Sequence, residues 1–165
     1  MTQFQNSRKG KFLSTIPTTD LEGDSSDLVI RSKFNFSYFC HQDAGQRFSE
    51  WTPLQQCKLF DKLVNFSQQP LAHWQAQRVG GAGGTVLAIY KKFPVNSDFS
   101  APPSVPHDVE WGRFRLGGSE RLIGFIVPHT LSDREHNKHK RRFDCNTFYV
   151  VFLDRDHRFY KSEQK

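Results

Sequence analysis

The chain has 165 residues, 36% of them hydrophobic and 14% aromatic, with a net charge of +6. That is enough apolar content for one sizeable core, under a surface suited to polyanions. No apolar run approaches the roughly 20 residues of a membrane-spanning helix, and the opening Met1-Thr-Gln-Phe-Gln-Asn6 lacks a secretory apolar stretch. Cys40, Cys57 and Cys145 are odd in number and widely spaced, without a Cys-x-x-Cys pair, so neither a disulfide framework nor a structural zinc is indicated and a reducing cytoplasm is expected.

Residues 1–30 mix Ser, Thr, Asp, Gly and Lys without lasting periodicity and read as a flexible arm, with Phe12-Leu13 and Leu28-Val29-Ile30 able to dock on a neighbouring surface. A single domain is expected over 31–165. Lys33-Phe-Asn-Phe-Ser-Tyr-Phe39 alternates as an edge strand would, placing Phe34, Phe36 and Tyr38 on one face. Trp51-Thr-Pro-Leu54 starts a helix, with Thr52 as N-cap and Pro53 at the first helical position, where its missing N–H leaves no bond unmade. Leu54, Cys57, Phe60 or Asp61, Leu63 and Val64 form the apolar stripe expected to pack on a sheet. Ser67-Gln-Gln-Pro70 breaks the helix, and Pro70–Arg78 reads as a second, shorter one forming a hairpin with it.

Gly80-Gly-Ala-Gly-Gly84 is a flexible turn. It lacks the Gly-Lys-Ser/Thr ending of a nucleotide-phosphate loop and runs from helix to strand, the reverse of that motif. Thr85–Tyr90 follows as a strand. Phe93–Val109, with Pro94, Pro102, Pro103 and Pro106, is an irregular connection whose length suits a functional or capping loop. Glu110–Gly118, Arg121–Val127 and Asn146–Asp154 are three consecutive strands, the first two joined by a Gly117-Gly118-Ser119 turn. Between the last two strands, a solvated loop carries Lys138, Lys140, Arg141 and Arg142.

Strand alternation puts Trp111, Arg113 and Arg115 on one face, a ring for base stacking beside guanidinium groups for phosphates. The competing reading is a Trp covered by arginine stems. Arg121 begins the next strand, where it either joins those arginines or pairs with Glu110 or Glu120. After the last strand come Arg155, His157, Arg158 and Tyr160. His157 suits proton transfer near neutral pH, Tyr160 suits it if cations lower its pKa, and Arg155 or Arg158 suits stabilisation of a phosphorane-like transition state. Asp154, Asp156 and Phe159 fit a turn that bonds local backbone and seals the sheet edge. His136 and His139 have helical metal spacing, but they lie among lysines and arginines with no third ligand, so no metal or other cofactor is expected.

The order strand, helix hairpin, largely antiparallel sheet, with Arg121-Leu-Ile-Gly-Phe125 and Phe148-Tyr-Val-Val-Phe-Leu-Asp-Arg-Asp-His-Arg-Phe-Tyr160 on its final strands, resembles the RelE/HigB toxin superfamily over about residues 34 to 161. The chain also looks like a family of bacterial and phage proteins without an assigned activity, in which Arg-Phe-Arg-Leu precedes Phe-Tyr-Val-Val-Phe-Leu-Asp and a His-x-Phe-Tyr ending. The first resemblance implies an α+β fold with a helix hairpin on a mainly antiparallel sheet. It also implies metal-independent cleavage of mRNA, commonly at the ribosome, through attack of a ribose 2′-hydroxyl on its adjacent phosphate. The matching positions are Arg121, Arg155 or Arg158, and Tyr160, to which the residue reading adds His157. The Pro-rich insert and the N-terminal arm depart from that pattern. The expected partners are RNA and an antitoxin or other acidic protein. The alternative is a non-catalytic module binding nucleic acid or protein.

Overall fold

The computed structural model describes residues 7–15, 20–24, 26–80 and 83–161. Helix α1 (Ser7–Ser14) is followed by strand β1 (Lys33–Asn35), helices α2 (Pro53–Phe66) and α3 (Leu71–Ala76), and strands β2 (Leu87–Tyr90), β3 (Glu110–Gly117), β4 (Glu120–Ile126) and β5 (Thr147–Asp154). The fold is α+β, its five strands in the order β1-β5-β4-β3-β2. Strands β2 to β5 pair antiparallel, while β1 pairs parallel to β5 with Phe34 opposite Phe148. Among the described residues no helix is long and apolar enough to cross a membrane.

Two aromatic-rich cores lie on opposite sides of the sheet. On the helix side, Phe114, Leu116, Leu122, Phe148 and Leu153 pack against Leu59, Leu63 and Phe66 of α2 and Trp74 of α3. The rings of Phe66 and Phe114 stack at 4.5 Å. Trp74 meets Phe66 edge-on at 5.2 Å, and its indole N–H donates to the Phe66 carbonyl at 2.8 Å, which fastens the helix hairpin. On the other side, Trp111, Ile123, Phe125, Val151 and Phe152 are covered by Phe99, Val109 and Phe159. The Pro-rich connection is thus a capping loop. A bulge opposite the Ile123–Gly124 step turns both Val151 and Phe152 into this second core.

Thr52 caps α2 as expected: its hydroxyl accepts from the Gln55 backbone N–H, and the Gln55 side chain accepts from the Thr52 N–H in return. The buried face of α2 keeps only the end of the expected stripe, which runs through about Phe66. Leu63 and Phe66 face the sheet together with Leu59, whereas Leu54, Cys57, Phe60 and Val64 are exposed. The helix carries two apolar stripes, and the sheet takes the one continuing into Phe66. The first strand also ends early. Beyond Asn35, whose side chain accepts from the Ser37 N–H, the chain turns, so Phe34 lies with the helix-side core, Phe36 is exposed, and Tyr38 packs edge-on against Phe125 in the opposite core. In the arm, Phe12, Leu28, Val29 and Ile30 are exposed rather than docked, while residues 1–6, 16–19 and 25 and the side chain of Leu13 lie outside the described residues.

Candidate phosphate-binding site

Antiparallel pairing places Arg115 opposite Arg121, and Arg121 opposite Asp154 on β5. Arg113 lies two residues before Arg115 and so points to the same face, that of the second core. The three guanidinium-bearing residues therefore gather at the hairpin end of the sheet. Arg121 is only 4% exposed. Its Nη1 donates to the carbonyls of Gly118 and Glu120, both at 2.8 Å. Arg113 Nε donates to the Tyr90 hydroxyl at 2.6 Å. Nη1 of Arg113, Nε of Arg115 and Nε of Arg121 are buried without a hydrogen-bond partner among the described residues.

One carboxylate, Asp154, faces this group across the β4–β5 pair and partly offsets its charge. Among the described residues, none of the three arginines has an ion pair within 4.0 Å, and the expected pairing of Arg121 with Glu110 or Glu120 does not form. The Glu120 side chain instead accepts from Gln55 Nε2 at 2.9 Å. Asp154, fully buried, is committed to the turn that follows it, accepting from the backbone N–H groups of Asp156, Arg158 and Phe159 at 3.2, 2.9 and 2.9 Å. Burial, then the positive charges of Arg113 and Arg115, push the Arg121 guanidinium down to about 10.

The turn delivers His157 to the same region. Its backbone is left-handed at φ 58°, and burial followed by the charges of Arg121 and Arg113 holds its imidazole below the ordinary histidine value. Both effects favour its neutral form, the one with a free ring-nitrogen lone pair. Tyr160, 42% exposed, lies on Tyr90 with ring centroids 5.1 Å apart and planes within 10°. Tyr90 thus links Arg113 to an aromatic rim. In the sequence Tyr90 carries no mark of this role beyond its position at a strand end.

Comparison with known proteins finds no matching family model, curated protein or solved structure. The site therefore stands on its own geometry.

The other sequence-predicted residues fall elsewhere. Trp111 is 4% exposed, enclosed by Phe93, Phe125, Phe152 and Phe159, so it supports the core and offers no face to a base. Arg158 turns away to Asp98, with Nε–Oδ2 at 2.9 Å, and Lys161 Nζ bonds the same carboxylate. Together these hold Asp98 below the usual carboxylate range and fasten the chain end to the Pro-rich loop. Arg155 lies 3.6 Å from Asp156. Lys138, Lys140, Arg141 and Arg142 are exposed in the connection after the opposite end of β4, away from the arginine face. There the rings of His136 and His139 lie 4.8 Å apart, and His136 Nδ1 accepts from the N–H groups of Lys138 and His139. Among the described residues no group of three or more His, Cys, Asp or Glu is placed to hold a metal ion.

Proposed function

We propose that the arginine face binds RNA through its phosphates and cleaves the strand without a metal ion, in the manner of a RelE/HigB-like toxin. The observation that carries the reading is Arg121: a buried guanidinium flanked by two others, whose facing carboxylate, Asp154, is bonded to its own turn and makes no ion pair with it within 4.0 Å. Keeping such a charge out of water costs several kcal/mol. A phosphate offsets that cost, since guanidinium groups bind its oxygens with short, charge-assisted and often bidentate bonds. The order of strand, helix pair and antiparallel sheet also supports the reading.

In the proposed step a ribose 2′-hydroxyl attacks the adjacent phosphorus, passing its proton to neutral His157. Arg113, Arg115 and Arg121 stabilise the charge gathered on the phosphorane oxygens. The 5′-oxygen leaves with a proton from Tyr160, His157 then gives the proton it took to water and Tyr160 recovers one from water, and the strand ends as a 2′,3′-cyclic phosphate and a 5′-hydroxyl. In this scheme Arg158, held by Asp98, is a structural residue. The partners are RNA, including ribosome-bound mRNA, and an antitoxin or other acidic protein that covers the basic surface. The site of action is the cytoplasm.

The test is incubation of a defined single-stranded RNA with the protein in the presence of a chelator, with and without ribosomes. Arg121→Ala and His157→Asn are expected to slow cleavage by about 100-fold or more, with Arg158→Ala close to wild type. No cleavage by wild type in either condition rules out the nuclease step. Arg158 tied to Asp98 and Tyr160 laid on Tyr90 favour the second reading, a non-catalytic RNA-binding module. It predicts salt-sensitive binding with the RNA left intact.

A further inference from the structure

Helix α2 has a third face besides its buried and exposed apolar stripes. Lys58, Asp61, Lys62 and Asn65 recur at steps of three and four and so share one flank. They line a cleft of about 710 Å³ between α2 and the β3–β4 hairpin. Its floor is apolar, made by Trp51, Leu59 and Leu116, and the opposite rim is the hairpin chain from Gly117 to Glu120. Among the described residues these four α2 side chains have no hydrogen-bond or ion-pair partner. The indole nitrogen of Trp51, itself 3% exposed, is also buried without an acceptor. A smaller cleft of about 380 Å³ shares Lys62, Asn65 and the hairpin residues Leu116 to Gly118, and adds Arg115. Arg115 thus borders this space at the hairpin edge of the sheet, while neither Arg113 nor Arg121 lines it.

We propose that the cleft seats one nucleotide of the strand whose phosphate lies on Arg115, an inference that rests on the arginine-face reading. The apolar floor of Trp51, Leu59 and Leu116 takes the base. Asp61 accepts from, and Asn65 both donates to and accepts from, the base's hydrogen-bonding edge, while Lys58 and Lys62 hold the neighbouring phosphate. A bare anion would have no use for Asp61 or for the apolar floor. A nucleotide matches all three features, and the volume lies within the range of small-ligand sites.

The experiment titrates the full chain with the four ribonucleoside 5′-monophosphates and with ribose 5-phosphate, which lacks a base, read by calorimetry and backbone amide shifts. At least one monophosphate is expected to bind about tenfold more tightly than ribose 5-phosphate. The shifted amides should lie in 58–65 and 116–120, and Lys62→Ala and Asn65→Ala should each weaken binding about fivefold or more while Arg158→Ala, at a residue tied to Asp98, does not. Both substituted residues are exposed, so a circular dichroism spectrum like that of wild type is expected of each variant. Equal affinity with and without the base, or no effect of either variant, overturns the inference. If RNA still binds in an Arg121-dependent way, the arginine-face reading survives that result. Monophosphates bound at 58–65 by a protein that binds no RNA would overturn the arginine-face reading and the seating of a strand in the cleft with it.

Discussion

Arg121 is held by two backbone carbonyls and opposed by two guanidinium groups, while the carboxylate across from it is bonded to its own turn. Replacing Arg121 with an apolar side chain of similar length removes its desolvation cost, but it also removes the positive charge facing buried Asp154 and two bonds to backbone carbonyls. Arg121→Met is therefore expected to lose about 1–3 kcal/mol in urea unfolding. A gain of stability instead would mean that desolvation and the repulsion from Arg113 and Arg115 outweigh those contacts. His157 responds to pH with a definite sign. Its folded pKa is depressed by burial and by Arg121 and Arg113, so as pH falls the unfolded chain takes up the proton first. The stability it contributes is full above its unfolded value of about 6.5 and is lost as pH drops through the folded value. Urea midpoints measured downward from neutral pH should fall less steeply for His157→Asn than for wild type. The arginine face was legible in the sequence because strand alternation alone aligns Arg113 and Arg115, and the hairpin brings Arg121 beside them. The fate of Trp111 was not. Alternation gives its face, but only the distant residues Phe93 and Phe159 decide that it is covered.

At the scale of elements, local signals located the pieces better than they oriented them. Thr52-Pro53 marked the start of α2 because capping and a free N1 position are local chemistry. The choice between its two apolar stripes depends on the sheet beneath, which no local period contains. The parallel β1–β5 pair joins segments more than a hundred residues apart and was likewise invisible. The tight packing of β4 on β5 gives a test of register. A Cβ on Gly124 would lie 2.1 Å from the Tyr149 carbonyl oxygen and 2.7 Å from the Phe148 ring, so backbone must move. Gly124→Ala is expected to cost about 2–4 kcal/mol in urea unfolding. A cost below about 0.5 kcal/mol, the scale of an ordinary surface change, would contradict this packing.

Across the whole molecule, positive charge sits in two places. The arginine face lies at the start of β4, and the loop bearing Lys138, Lys140, Arg141 and Arg142 follows its end, separated along β4 by about 17 Å for five residue steps. Net charge pointed to a polyanion, but the sequence did not show that the basic residues divide between the two ends of one strand. A strand of about three nucleotides, roughly 7 Å long at about 3.4 Å per stacked step, engages the arginine face alone, whereas one of about 12 is long enough to reach the loop as well. Replacing the four loop residues with Ser should weaken the longer RNA about tenfold and leave the shorter within about twofold. Equal losses for both lengths would place the loop beside the arginines.

The most direct test of the arginine face is the salt dependence of binding to a labelled RNA of about five nucleotides, measured by fluorescence anisotropy for wild type and Arg121→Met. Three phosphate contacts predict a slope of log affinity against log salt near −2 for wild type. In the variant the slope should be shallower by about 0.7 and the affinity at least about tenfold weaker. An Arg121→Met protein that binds with wild-type affinity and slope would contradict the assignment.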